Sequence, residues 1–213
     1  MNNRFGIAFI IIICFFITAC GQAGVSEEIH QHLEETVQIE KEFETNQEKI
    51  FVLEQEDEEI YNEIIALGSE DVEKVKELSD QAIDLLEERL KYIDLEKTSL
   101  EESKVEFEKI GPLMEDIDDE DQKEQIEKMY ETMMNRYEAY DDVFDTYSES
   151  INLTKELYEL LQSEELKENE VYSIIANVND SYDEVLEANE QFNKETVLYN
   201  NFKKEYYEQY VED

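Results

Sequence analysis

Apolar side chains recur at alternating steps of three and four residues, and this spacing constrains the fold of the chain more than any other feature. It places the apolar residues on one face of an α-helix and continues through four stretches, each roughly 60 Å long at about 1.5 Å per residue. The chain has only five Gly and one Pro. A sheet protein of this size would need many more turn residues, so the pattern predicts an all-α fold.

The first two helices are bounded by glycines. We expect the first helix over Ser26–Leu67, with Gly68 in a left-handed cap and Ser69 as the N-cap of the second helix. Gly111-Pro112 should end or kink the second helix, because proline lacks the backbone N–H that a helix interior needs.

The third and fourth helices complete the predicted domain. The third should begin near residues 119–121, and the fourth should follow a break at 162–168. Short connections between helices of equal length favour a long antiparallel up-and-down four-helix bundle as a single domain over residues 26–213. A three-helix bundle is the alternative if the first helix packs poorly.

The N-terminus is typical of an exported lipoprotein. Residues 5–17 are apolar but too short for a comfortable membrane span, and the run ITACG at 17–21 has the form of a lipobox. We therefore predict a signal peptide over 1–19, a diacylglyceryl lipid on Cys20, and a short tether over 20–25. An uncleaved anchor helix is the alternative.

Cysteine usage limits the chemistry of the mature chain. Cys14 would be removed with the leader and Cys20 would carry lipid, which leaves neither a free thiol nor a disulfide. Thiol catalysis and cysteine-based zinc sites are therefore excluded.

An even number of antiparallel helices would place both ends of the chain at the same end of the bundle. Since Cys20 would fix that end at the membrane, we expect residues 111–121 to lie there too, with the other two turns facing the wall.

The formal net charge of −40 limits the partners. Such a chain is repelled by nucleic acid, by anionic lipid and by phosphate-rich wall polymers. Nucleic-acid binding is excluded, and we expect a partner that is a wall component or an envelope protein.

Two clusters could bind cations. The acidic run that contains Asp116, Asp118, Asp119 and Asp121 could bind Ca²⁺ or Mg²⁺ weakly, or it could be a solvated loop that favours the start of the third helix. Glu27 and His30 form half of a di-iron motif. His32 should point to the opposite side of the helix, so we predict no metal there.

Most tyrosines recur at the spacing of core residues, and we expect them to pack inside the bundle. The C-terminal Tyr206, Tyr207 and Tyr210 are set apart as candidates for the membrane interface, where aromatic rings with polar tips are favoured.

Four polar residues fall at inward positions, where they either mark a buried site or fix the helix register: Asn46, Asp57, Arg89 and Asn189. The chain carries no nucleotide-binding, hydrolase or zinc-protease motif, so no catalytic residue is assigned.

Several segments together resemble the YkyA-like cell-wall-binding lipoproteins of Gram-positive, Bacillus-type bacteria. They are CG at 20–21, HLEE at 32–35, EEIYNEIIALG at 58–68, LSDQA at 78–82 and EESKVEF at 101–107. The resemblance implies a helical lipoprotein on the outer face of the cytoplasmic membrane. It transfers no catalytic residue, and only Cys20 takes a defined role from it.

We therefore expect a non-enzymatic lipoprotein that binds an envelope component. The alternatives are an enzyme or enzyme accessory acting on wall glycan, and an acidic surface protein that binds divalent cations. A deep polar cleft holding a carboxylate of raised pKa would favour the enzyme, whereas a closed apolar core would favour the binding protein.

Overall fold

The protein is a bundle of four long antiparallel helices, as the apolar spacing predicts. The structure is a computed structural model that describes residues 19–68, 71–163 and 166–211, with side chains from Gly24 onward. In chain order the helices are α1 Ala19–Ile39, α2 Lys41–Leu67, α3 Val72–Phe107, the short α4 Ile110–Leu113 with a 3₁₀ turn over Met114–Asp116, α5 Glu120–Leu161 and α6 Glu168–Tyr210. The described residues contain no strand.

The first long helix is interrupted once, at Glu40, which separates α1 from α2. The helical path continues through this residue, because the Glu40 N–H donates to Thr36 O over 3.1 Å and the Glu44 N–H donates to Glu40 O over 3.3 Å. The Glu40 carboxylate turns inward and accepts hydrogen bonds from Ser103 and Arg136, both at 2.8 Å. The irregularity therefore lies where a carboxylate joins α3 and α5.

The start of the first helix differs from the expectation. Residues 20–25, predicted as a tether, are helical, since α1 begins at Ala19. Two glycines in this segment lower helix propensity by only about 1 kcal/mol each.

The connection after α2 depends on a glycine, as predicted, but the next helix begins differently. Gly68 has φ +54° and ψ −124°. Residues with a side chain disfavour this positive φ, although the ψ angle lies outside the left-handed helical region predicted for the cap. The Gly68 N–H donates to Ile64 O over 3.1 Å. The N-cap of α3 is Asp71, whose carboxylate accepts from Lys74 N over 3.1 Å, rather than Ser69. Ser69 itself lies outside the described residues.

The connection between α3 and α5 follows from Pro112. Because Pro112 has no N–H for Glu108 O, α3 ends at Phe107 and that carbonyl accepts from Gly111 N over 3.1 Å. Asp119 then caps α5 by accepting from Gln122 N over 2.9 Å, close to the predicted start.

Both ends of the described chain lie at one pole. Gln122 donates to Ser26 over 3.0 Å, Gln125 donates to Gln209 over 3.1 Å, and His30 lies 3.2 Å from the Tyr207 hydroxyl. We call this end the proximal pole. The distal pole holds Gly68 and Gln162, which follow α2 and α5, and Asp71 and Lys167, which precede α3 and α6. The same-pole arrangement agrees with the prediction from an even helix count.

The core is rich in aromatic residues and includes most of the tyrosines that the spacing placed inside. Phe43 contacts both Tyr140 and Phe192 edge-on, at 5.4 and 6.0 Å between ring centroids. The buried face of α1 consists of Ile29, Leu33 and Thr36, whereas His32 is half-buried. Six tyrosines are buried: Tyr137, Tyr140, Tyr147, Tyr158, Tyr199 and Tyr206.

Candidate functional site in the seam between α2 and α6

A groove runs along the seam between α2 and α6, from the middle of the bundle to the distal pole. It consists of cavities of about 230, 390 and 380 Å³. The first two share Glu54, and the second and third share Tyr61, Leu157 and Ile175, so they form one continuous seam groove. Its extent along α2, from residue 47 to 68, is roughly 30 Å at about 1.5 Å per residue.

The seam opens where the inward side chains of α6 become small. At the proximal pole and in the middle, α6 buries Tyr206, Tyr199 and Phe192, and these rings fill the space between the helices. Toward the distal pole its buried residues are Val185, Ser181 and Val178. Side chains of this size leave the space that the seam groove occupies.

Arg89 forms the floor of the 390 Å³ cavity. It is 2% exposed and donates to Asp57 Oδ2 over 3.1 Å and to Glu54 Oε1 over 3.2 Å. Its Nε and Nη2 also donate to the Tyr147 hydroxyl, over 3.0 and 2.8 Å. A buried guanidinium is costly unless its donors are satisfied, and here every guanidinium nitrogen has an acceptor.

Two tyrosines complete this network. Tyr147 donates to Glu54 Oε1 over 2.6 Å and Tyr158 donates to Asp57 Oδ1 over 2.7 Å. Burial raises the pKa of Asp57, while the hydrogen bond from Tyr158 and the charge of Arg89 act in the opposite direction. The guanidinium of Arg89 therefore faces the carboxylates of Asp57 and Glu54, and this part of the floor carries a net negative charge when both are ionised.

Glu96 lines the smaller cavity and is 2% exposed. Its Oε2 accepts from the Tyr140 hydroxyl over 2.8 Å, whereas its Oε1 has no partner among the described residues. Burial raises the pKa of Glu96 to about 7, the Tyr140 hydrogen bond lowers it in part, and the charge of Glu54 raises it further. This buried carboxyl can therefore offer a ligand either an acceptor or, when protonated, a donor.

The chemical character of the seam groove changes along its length. The middle carries hydroxyl, amide and carboxylate groups, with Tyr61, Asn179 and Tyr182 beside the acidic floor. The distal end is apolar and is lined mainly by Ile64, Ile65, Val72, Val75, Leu161, Leu166 and Val171. The arrangement suits an elongated, amphipathic and uncharged ligand.

Sequence analysis identified part of this site. Asp57 and Arg89, predicted at inward positions, meet in the floor, and Asn46 is buried. Asn189 lines the smaller cavity, where its amide donates to Val185 O over 3.0 Å. Glu54 and Glu96 are not among the polar residues that the sequence predicts at inward positions, although Glu96 lies three residues after the buried Ile93 and four before the buried Leu100.

The other predicted residues lie at the proximal pole, away from the seam groove. Cys20 falls in the first turn of α1. Asp116 ends the 3₁₀ turn, Asp118 is exposed, Asp119 caps α5, and Asp121 lies in the first turn of α5. Ion binding by this acidic run stays a prediction.

The C-terminal tyrosines take different positions. Tyr206 is fully buried and Tyr210 packs against it with 5.6 Å between ring centroids. Tyr207 contacts His30 and donates to Glu34 over 2.7 Å. Only Tyr207 and Tyr210 can reach a lipid surface, and their role there stays a prediction.

Comparison with solved structures shows that the chain shares its long helical-bundle fold with another bacterial protein. A solved structure, a 1.6 Å crystal structure of a conserved protein of unknown function from Staphylococcus aureus, superposes with a TM-score of 0.76 over 90% of this chain and 98% of that chain, at 17% identity. At this low sequence identity, the superposition shows a shared fold alone.

The family itself is shown by a family model that matches residues 24–209 and is described as "YkyA: Putative cell-wall binding lipoprotein". The chain belongs to the YkyA family, which confirms the resemblance drawn from the sequence. It is 28% identical over 196 residues to "Uncharacterized lipoprotein YkyA" of Bacillus subtilis (strain 168), covering 92% of this chain and 88% of that protein.

Membership of this lipoprotein family implies a membrane-anchored protein at the cell surface. Within the described part of the chain, no helix is both long and apolar enough to cross a membrane. None of the three descriptions names a catalytic activity.

Proposed function

We propose that this protein is a lipid-anchored binding protein that holds an uncharged stretch of wall glycan in the seam groove. Cys20 would carry the lipid after removal of residues 1–19 and would tether the proximal pole to the outer face of the cytoplasmic membrane. The distal pole and the seam groove would then face the wall.

The observation that carries this proposal is the unpartnered, buried Oε1 of Glu96, which lines the 230 Å³ cavity of the seam groove beside Tyr140 and Tyr147. A buried polar atom without a partner costs about 1–3 kcal/mol, which a ligand N–H or O–H would recover. Tyrosine rings offer apolar faces beside a hydroxyl. The adjoining cavity, which shares Glu54 with the cavity at Glu96, has a volume of about 390 Å³ and falls within the range of small-ligand sites.

Charge favours glycan over the other wall polymers. With a formal net charge of −40, the protein should be repelled by phosphate-bearing polymers at low ionic strength. The N-acetylated glycan of peptidoglycan has no phosphate, and it supplies hydroxyl and amide groups for the carboxylates and phenols of the seam groove.

Sedimentation with insoluble peptidoglycan stripped of phosphate polymers tests this function. Asn179 is exposed at the edge of the 390 Å³ cavity, so Asn179→Trp should obstruct the seam groove and abolish co-sedimentation. Asn152→Trp, at an exposed position of α5 outside the cavity linings, is the matched control and should bind as the unmodified protein does. Equal binding by both variants would remove the seam groove from the function.

Hydrolysis of wall glycan is a second candidate, favoured by the pKa of Glu96 near neutrality, since a general acid must hold a proton at the working pH. It predicts that the protein releases new reducing ends from peptidoglycan and that Glu96→Gln does not. Binding without release of reducing ends selects the binding protein over the hydrolase.

A further inference from the structure

A second cluster of polar side chains lies at the proximal pole, where α1 packs against the end of α3. His32 and Glu35 of α1 and Glu106 of α3 each present one ligand atom, and these three atoms lie within 4.8 Å of one another. His32 Nδ1 is 2.6 Å from Glu106 Oε1. The cluster joins two helices that are distant in sequence, and it is separate from the seam groove.

The surroundings suit a cation. His32 and Glu106 are largely shielded, with 16% and 11% of their side chains exposed, whereas Glu35 is exposed and can move. Lys109 lies 2.5 Å from Glu106 Oε2 but is half-exposed, so it can swing away from the cluster. Glu35 and Glu106 place two carboxylates beside the imidazole of His32, and a divalent ion would neutralise their negative charge.

The donor set distinguishes among cations. Calcium and magnesium take oxygen ligands, whereas zinc accepts imidazole nitrogen together with carboxylate oxygen. Ligand atoms at about 2.1 Å from a tetrahedral ion lie roughly 3.4 Å apart. The contact between His32 and Glu106 would therefore open slightly and the mobile Glu35 would move inward, with water completing the shell.

We propose that His32, Glu35 and Glu106 form a zinc site that fastens α1 to α3. From the sequence alone, the spacing of Glu27 and His30 along one helix predicts no metal role for either histidine; the proposed site departs from that prediction. The partner carboxylate comes instead from Glu106, 74 residues away along the chain.

The site would stabilise the part of the bundle that carries Cys20. Because zinc would bind the folded arrangement of α1 and α3, the ion should raise the melting temperature of the protein. It would thereby hold the membrane-proximal helix against the remainder of the bundle.

Titration of zinc chloride into the full-length, chelator-stripped protein in a non-ionic detergent, followed by calorimetry and thermal melting, tests the site. We expect one ion per chain and a higher melting temperature with zinc. His32→Ala should lower the affinity by at least about 10-fold, because loss of a direct ligand should cost no less than loss of an outer partner. Glu35→Gln, at an exposed position, should weaken binding without changing the melting temperature of the metal-free protein.

His30→Ala is the matched control, since it removes an imidazole two residues away that contacts Tyr207 and lies outside the cluster. It should bind zinc as the unmodified protein does. The proposal is overturned if the unmodified protein takes up no stoichiometric ion, if His32→Ala and Glu35→Gln bind unchanged, or if His30→Ala loses binding equally.

Discussion

The guanidinium of Arg89 on α3 donates a 3.1 Å hydrogen bond to the carboxylate of Asp57 on α2, and both side chains are buried. The pair lies under the 390 Å³ cavity and is extended by Glu54, Tyr147 and Tyr158. Every guanidinium nitrogen of Arg89 has an acceptor in this buried network, whereas Glu96 in the neighbouring cavity keeps one oxygen without a partner among the described residues.

Removal of the cation should be costly. Arg89→Met would leave Asp57 and the inward oxygen of Glu54 without their counter-charge, so we expect the free energy of unfolding to fall by about 3–5 kcal/mol. Urea unfolding followed by far-ultraviolet circular dichroism measures it. The double variant Arg89→Met with Asp57→Asn should recover part of the loss; a double variant as unstable as the single one would contradict this account.

Glu96 should make stability depend on pH. Its pKa of about 7 in the folded chain exceeds the ordinary value of about 4.3, so the folded state favours the protonated form. The stabilisation is complete below about pH 4 and is lost as the pH rises through about 7, by up to roughly 3 kcal/mol. Glu96→Gln keeps an acceptor for Tyr140 and should remove this dependence.

Unfolding free energies measured between pH 4 and pH 8 check that prediction, because the advantage of Glu96→Gln over the unmodified protein should grow with pH. Glu131→Gln, at an exposed position of α5, is the control and should follow the unmodified protein. A constant difference between Glu96→Gln and the unmodified protein would argue against a buried, proton-binding Glu96.

Lipid attachment at Cys20 should depend on that cysteine alone. Cys20→Ser should abolish incorporation of labelled fatty acid in cells and release the protein from the membrane fraction. Cys14→Ser, in the predicted leader, should leave both unchanged. An unmodified protein that takes up no labelled fatty acid yet stays in the membrane fraction would favour the uncleaved anchor helix.

The C-terminal tyrosines should assist contact with lipid. In a form carrying Cys20→Ser, replacing Tyr207 and Tyr210 with Ala should weaken association with zwitterionic vesicles, because interfacial aromatic rings favour the headgroup region. Tyr206 is kept, since it is fully buried and its loss would disturb the core. Tyr172→Ala, 64% exposed near the distal end of α6, should have no effect on vesicle flotation.

The periodic stripe predicts the fold well because burial within each helix is a local property of the chain. Asp57 and Arg89 could be placed inside from spacing alone, and the same spacing includes Glu96. Two details could not be predicted from the spacing. The break at Glu40 lies where its carboxylate accepts a hydrogen bond from Arg136 on another helix. The N-cap of α3 is Asp71 rather than Ser69, because both residues lie in one short polar segment and either could act as a cap.

The seam groove could not be predicted in this way. Its width depends on the size of the α6 side chains that line it, such as Ile175 and Val178, which lie more than a hundred residues after α2 in the sequence. The contact between His32 and Glu106 is likewise set by how α1 lies on α3. Helical periodicity assigns an inward face, but it does not give the distance between two faces.

The buried tyrosines have a consequence for the optical properties of the protein. The chain has no tryptophan, so its near-ultraviolet spectrum belongs to tyrosine and phenylalanine. Burial raises the pKa of Tyr140 and Tyr158 well above that of an exposed phenol. In alkali, surface rings should become phenolates first, and the remaining rings should join them only when the helices separate, so the growth of phenolate absorbance would report separation of the bundle without an added label.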